Sequence, residues 1–132
     1  MRFLFVLLAI AAVLPFCTKK KTSESVYIGT WELKTSDGMS GHVEYEPGNG
    51  FKMTITEDSL YEYGNGSLQY TRAFGLVKDT LRGYGTDRLA DKLSPDIVSG
   101  FATFFELKGN TLIRYAGIPA LDGGSSTYVR IK

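Results

Sequence analysis

At 132 residues, 43% hydrophobic and 13% aromatic, the chain has the length of one domain and enough apolar side chain for a packed core, which argues against a disordered tail or a string of domains. Its formal charge of +1 is unevenly spread, because Arg2 and Lys19 to Lys21 hold four of the 15 basic residues and leave 11 basic against 14 acidic from Thr22 onward. With no basic face interleaved with aromatics, one cysteine and one histidine, the composition argues against a nucleic-acid partner, an internal disulfide and a metal site built from Cys and His, and no motif calls for a cofactor.

Residues 1–16 open with Met1-Arg2, continue through an almost wholly apolar run over 3–14 and end in Pro15-Phe16. The run is too short for a span of roughly 20 residues and reads as a secretory signal segment. Cys17 follows directly, with Leu14 three positions before it and Phe16 where a small residue is usual. This arrangement resembles the lipobox of bacterial lipoproteins, which implies lipidation of Cys17 and an exported protein held at the cell envelope, as an outer-membrane lipoprotein. The residues themselves also allow an uncleaved apolar anchor, or cleavage after a residue such as Ala11 with Cys17 left as a free thiol. Residues 17–25 then form a polar tether, and the eight residues after Cys17 reach at most ~26 to 29 Å when extended.

From residue 26 the text is strands and tight turns. Residues 26–34 alternate Tyr27, Gly29, Trp31 and Leu33 against Val26, Ile28, Thr30 and Glu32, the period of a two-faced strand, and they contain the only tryptophan. Ser36-Asp37-Gly38 turns the chain into a short strand over 41–46, where His42 falls on the polar side with Glu44 and Glu46. Such a carboxylate pair on a strand is ordinarily solvent-facing. Phe51, Met53 and Ile55 alternate with Lys52, Thr54 and Thr56, Tyr61 and Tyr63 share a face, and Gly64-Asn65-Gly66 signals a hairpin into 67–74. A further strand is expected over 76–84. Leu89 and Leu93, four apart between a capping Thr86 or Asp87 and Ser94-Pro95, predict a short helix over 86–95. Residues 97–107 and 111–115 pair across Lys108-Gly109-Asn110, and a Gly-rich loop leads to a closing strand over 125–131 that carries Arg130.

Gly29-Thr30-Trp31 near the start and Arg130 near the end resemble the terminal marks of lipocalin-type barrels, closest to the small lipocalin-like domains of bacterial lipoproteins. The resemblance implies that Arg130 packs across Trp31. The alternating segments predict an all-β, antiparallel up-and-down meander of eight or nine strands over 26–132 with one short helix between strands, and the resemblance implies that it closes into a barrel; the mid-chain helix departs from the lipocalin plan, whose principal helix follows the eighth strand. A barrel of about eight strands has room for packed side chains or one small ligand, and the domain carries 14 aromatics from residue 26 onward, which leaves little room to spare.

No nucleophile, acid or base is grouped by spacing, so an enzyme is not expected. The resemblance implies binding or carriage of a small hydrophobic molecule, with Phe51, Met53, Ile55, Tyr61, Tyr63, Phe101, Phe105 and Leu112 as candidate wall residues, while the membrane is a partner through the lipid anchor alone. The alternative is a non-catalytic interaction module with a filled core, such as an envelope structural lipoprotein or a small inhibitor-like barrel. Exposed aromatic or apolar surface is its requirement.

Overall fold

The computed structural model describes residues 23–95, 101–118 and 122–132. A single 3-10 turn, Ser23–Val26, precedes ten strands among these residues: β1 Gly29–Gly38, β2 Gly41–Glu44, β3 Lys52–Ile55, β4 Ser59–Gly64, β5 Ser67–Ala73, β6 Leu76–Leu81, β7 Arg88–Leu93, β8 Thr103–Lys108, β9 Thr111–Ala116 and β10 Gly124–Arg130. All pairings are antiparallel. Tight turns make most of the meander. At the β4–β5 hairpin, Asn65 and Gly66 both hold positive φ (50° and 79°), the backbone that a two-residue turn needs to match strand twist.

The strands lie in the order β5-β4-β3-β1-β10-β9-β8-β7-β6, with β2 on the outer half of β1. The first and last strands therefore meet, from Trp31 opposite Arg130 to Asp37 opposite Ser125. They meet in the middle of the sheet, and its two ends are β5 and β6. Those strands are consecutive in sequence and joined only by Phe74-Gly75, so the sheet has to curl until its ends approach at that corner. The Phe74 amide donates to the Asp58 carbonyl and the Ser94 amide to the Gly75 carbonyl, each at 2.8 Å, which ties the corner to both walls. The result is a strongly curled half-barrel. A barrel or near-closed barrel was expected from the meeting of first and last strands; those strands do meet, and their pairing places the seam between β5 and β6.

The short helix expected over 86–95 is replaced by β7. Leu89 and Leu93 suit a helical spacing, yet the same stretch alternates Arg88, Ala90 and Lys92 with Leu89, Asp91 and Leu93. Every residue from Arg88 to Leu93 has a partner on β6, and Asp91 and Lys92 also pair with β8. Ala90 is buried on one face and Leu93 on the other, a period-2 use of short apolar residues that a sheet satisfies and an isolated turn of helix does not. This strand is the one beyond the eight or nine expected. Residues 23–25, expected in the tether, begin the folded part instead: Glu24 accepts from the Leu76 amide at 3.0 Å, and the Tyr27 amide donates to the Glu24 carbonyl.

The concave face holds the main core, with Trp31, Met53, Leu60, Leu93, Phe105 and Leu112 among its buried members. A second cluster lies on the convex face of β7 to β9, where Ala90, Phe104 and Tyr115 pack with Leu81. Because Phe104 and Phe105 are adjacent on β8, they serve opposite faces of one strand.

Candidate functional site

The structure sorts the eight wall candidates into three groups. Met53, Ile55, Phe105 and Leu112 are buried in the concave core, and Phe51 is partly buried against them. Tyr61 and Tyr63 pair with Thr54 and Lys52, the residues that alternate with Met53, and so lie on the other face of the sheet. Phe101 precedes β8, is 49% exposed and rests against Gly117. The four central candidates touch side chains where a lumen was expected.

Trp31 anchors that packing. It is fully buried, its indole N–H donates to the Tyr27 carbonyl at 2.9 Å, and the Arg130 guanidinium lies 4.2 Å from its ring centroid. Arg130 also donates to the Ile28 and Val26 carbonyls, both at 2.7 Å. Gly29 makes this approach feasible: a Cβ there would stand 2.6 Å from the Lys132 carbonyl oxygen and 2.7 Å from an Arg130 nitrogen, and its φ is +149°. Gly29, Trp31 and Arg130 thus form one steric unit at one end of the core.

One step along the strands, the concave face turns polar. Glu62 lies two residues beyond Leu60 on β4, opposite Met53 and Tyr70, and Arg114 lies two beyond Leu112 on β9. Their side chains meet across the half-barrel, Arg114 donating to Glu62, with the carboxylate only 14% and the guanidinium 20% exposed. Burial opposes the charge on Arg114, and Glu62 together with Tyr128 and Tyr70 outweighs it, so the arginine is held above its ordinary range and remains ionised. The Arg114 Nε is buried without a hydrogen-bond partner among the described residues. Burial also pushes the Tyr128 hydroxyl upward, with Arg114 pulling against it, and keeps it a protonated donor at neutral pH.

Beside Glu62 opens a cleft of about 360 Å³, lined by Leu33, Phe51, Lys52, Glu62, Tyr63, Gln69, Tyr70 and Tyr128 among others. The volume is at the low end of the range typical of small-molecule sites, ~300 to 1,000 Å³. Its lining carries one carboxylate, Glu62, and one ammonium, Lys52, among aromatic side chains and the Gln69 amide, and it includes the wall candidates Phe51 and Tyr63; Arg114, the partner of Glu62, does not line it. Such a surface can orient a ligand by hydrogen bonds and ring contact. Sequence reading alone does not single out Glu62 and Arg114, because the shared face of Tyr61 and Tyr63 points to the opposite side of β4. The usable signal was a shared face: Leu60, Glu62 and Gly64 on one strand, Leu112, Arg114 and Ala116 on another, with opposite charges at the same step beyond the core.

Two further polar networks are closed on themselves. On β7, Asp91 accepts from the Tyr27 hydroxyl and pairs with Lys78, both at 2.6 Å. Across the convex cluster Arg88 forms a two-pronged pair with Glu106 at 2.5 and 2.9 Å, and Tyr115 donates to the same carboxylate at 2.8 Å. Among the described residues no group of three His, Cys, Asp or Glu could hold a metal ion. Cys17 lies outside the described residues. No family model, curated protein or solved structure matches this chain.

Proposed function

We propose that this chain is a non-catalytic binding domain of lipocalin-like type that holds one small molecule in the cleft lined by Glu62, Lys52 and Tyr70. The observation that carries the reading is a cleft with aromatic lining and one charge of each sign, beside a filled core. The ligand sits at the mouth of the half-barrel and not among Met53, Ile55, Phe105 and Leu112. In the same proposal the apolar run before Cys17 directs export, and acyl chains on Cys17 hold the domain at the cell envelope.

Amide chemical-shift mapping tests the ligand site. A bound small molecule should move the amides of Leu33, Phe51, Glu62, Gln69, Tyr70 and Tyr128 together and leave those of Leu93 and Phe105 unchanged. Shifts confined to the core residues, or scattered over the outer face, would remove the cleft from consideration. Mass spectrometry of protein recovered from bacterial membranes tests the anchor, with an acylated N-terminal Cys17 as the expected species.

The interaction-module reading is favoured by one feature, the exposure of the sheet's ends. Leu68 and Tyr70 on β5 and Val77 on β6 are each about half exposed, at 52%, 48% and 49%, and an unpaired strand edge is a template for another strand. In that case hydrogen exchange at residues 67–73 should slow when the partner binds, with the amides of Leu33, Phe51, Glu62 and Tyr128 unchanged.

A further inference from the structure

We infer that the cleft recognises a neutral, hydroxyl-rich ring, a saccharide unit, stacked on Tyr70 and hydrogen-bonded through Gln69, Glu62 and Lys52. This deepens the small-molecule reading and rests on it.

Charge sets the first condition. Glu62 and Lys52 both line the cleft, so a ligand of either sign meets a like charge as well as an opposite one. A purely apolar ligand would seal both charges from water and return no hydrogen bonds, which is expensive. A neutral polyol meets both on their own terms: its hydroxyls donate to Glu62 and accept from Lys52, and Gln69 both donates and accepts.

The aromatic lining sets the second. Tyr70 faces the cleft beside Glu62, its partner across β4 and β5, yet its surface is 48% exposed. A half-exposed aromatic ring lining an open polar cleft suits a ligand ring that presents C–H groups to the π face and hydroxyls around its edge. Phe51 and Tyr128 bound the same space. β5 is exposed over nearly its whole length, so the cleft has an open side through which further units of a longer chain can leave.

Isothermal titration of the full chain with cellobiose, N,N′-diacetylchitobiose and palmitate, combined with amide mapping, tests the inference. At least one disaccharide should bind saturably and move the cleft amides, and palmitate should not. Tyr70→Ala should weaken that binding about tenfold and Tyr70→Phe by no more than about threefold, because the ring and not the hydroxyl supplies the platform. Gln69→Ala should weaken it without altering the fold. Palmitate binding in the cleft with both disaccharides silent overturns the ligand class and leaves the small-molecule reading standing. If none of the three probes moves the cleft amides, both fall. Disaccharide binding indifferent to Tyr70→Ala removes the proposed platform.

Discussion

β8 and β9 bury apolar side chains on both faces, and the two faces are kept dry by different means. On the concave side Phe105 and Leu112 are enclosed by the curl of the sheet, with Trp31, Met53 and Leu60 arriving from the opposite wall. On the convex side Phe104 and Tyr115 have no opposite wall, and the cover comes from the chain between β6 and β7. That cover is fastened by polar bonds: the Tyr84 hydroxyl donates to the Ala116 and Gly124 carbonyls at 2.9 Å, and Arg88 grips both Glu106 and the Tyr84 carbonyl. Curvature excludes water from an apolar cluster without polar help. A flat outer face needs a roof, and the roof needs hydrogen bonds.

The largest expected effect separates the two clusters directly. Phe105→Ala should destabilise the domain by about 3 to 5 kcal/mol, because a fully enclosed cavity cannot relax, and Phe104→Ala by about 3 kcal/mol or less, because its cover can settle. Urea denaturation of both variants gives the comparison. Equal losses would mean that the convex cluster is as closed as the inner one.

The second concerns the fastening. Glu106→Gln keeps the shape and breaks the charged pair with Arg88, at about 1 to 3 kcal/mol. The Arg88 hydrogen bonds hold the Glu106 carboxyl below its usual range. A depressed carboxylate pKa contributes stability that is fully present above the ordinary value of about 4.3 and is lost as pH falls through the depressed one. The gap between wild type and Glu106→Gln should therefore narrow as the solution is acidified below about pH 4. A constant gap across that range would show that the pair contributes packing alone.

The third sharpens the inner side. Trp31→Ala and Arg130→Ala should be non-additive, with a coupling of about 0.5 to 2 kcal/mol from the stacked guanidinium. Additive losses would reduce Arg130 to its carbonyl contacts with Ile28 and Val26.

The smallest lies on the β1–β2 hairpin, outside both clusters. Asp37, 2.6 Å from the His42 ring, raises the histidine above its ordinary value of about 6.5. A raised histidine pKa contributes below that ordinary value and is lost as pH rises through the folded one. His42→Gln should leave global stability nearly unchanged and abolish the pH dependence of amide exchange at residues 41–44. An NMR titration giving His42 an unshifted midpoint would remove Asp37 as its partner.

Strand identity was legible wherever one face is apolar and a turn residue follows. The alternation of Phe51, Met53 and Ile55 and the Asn65-Gly66 turn are local facts, set by the pleat and by positive φ, and they survive in the fold. Arg130 opposite Trp31 was legible only as what the lipocalin resemblance implies, carried by Gly29-Thr30-Trp31 and a basic residue on the last strand. β7 was not legible, since Leu89 and Leu93 fit two periods at once and only the ladder with β6 selects one. The seam was hidden for a related reason: pairing of first and last strands is a property of termini, and openness is a property of which two strands are left over. The Glu62–Arg114 pair was hidden because it joins residues 52 positions apart. An all-β meander with a tryptophan-centred core follows from local periods and turn residues. Which face of β4 turns inward, where the sheet stays open and that Glu62 meets Arg114 follow only from the packed fold, because each depends on how the curled walls oppose one another and not on any local period.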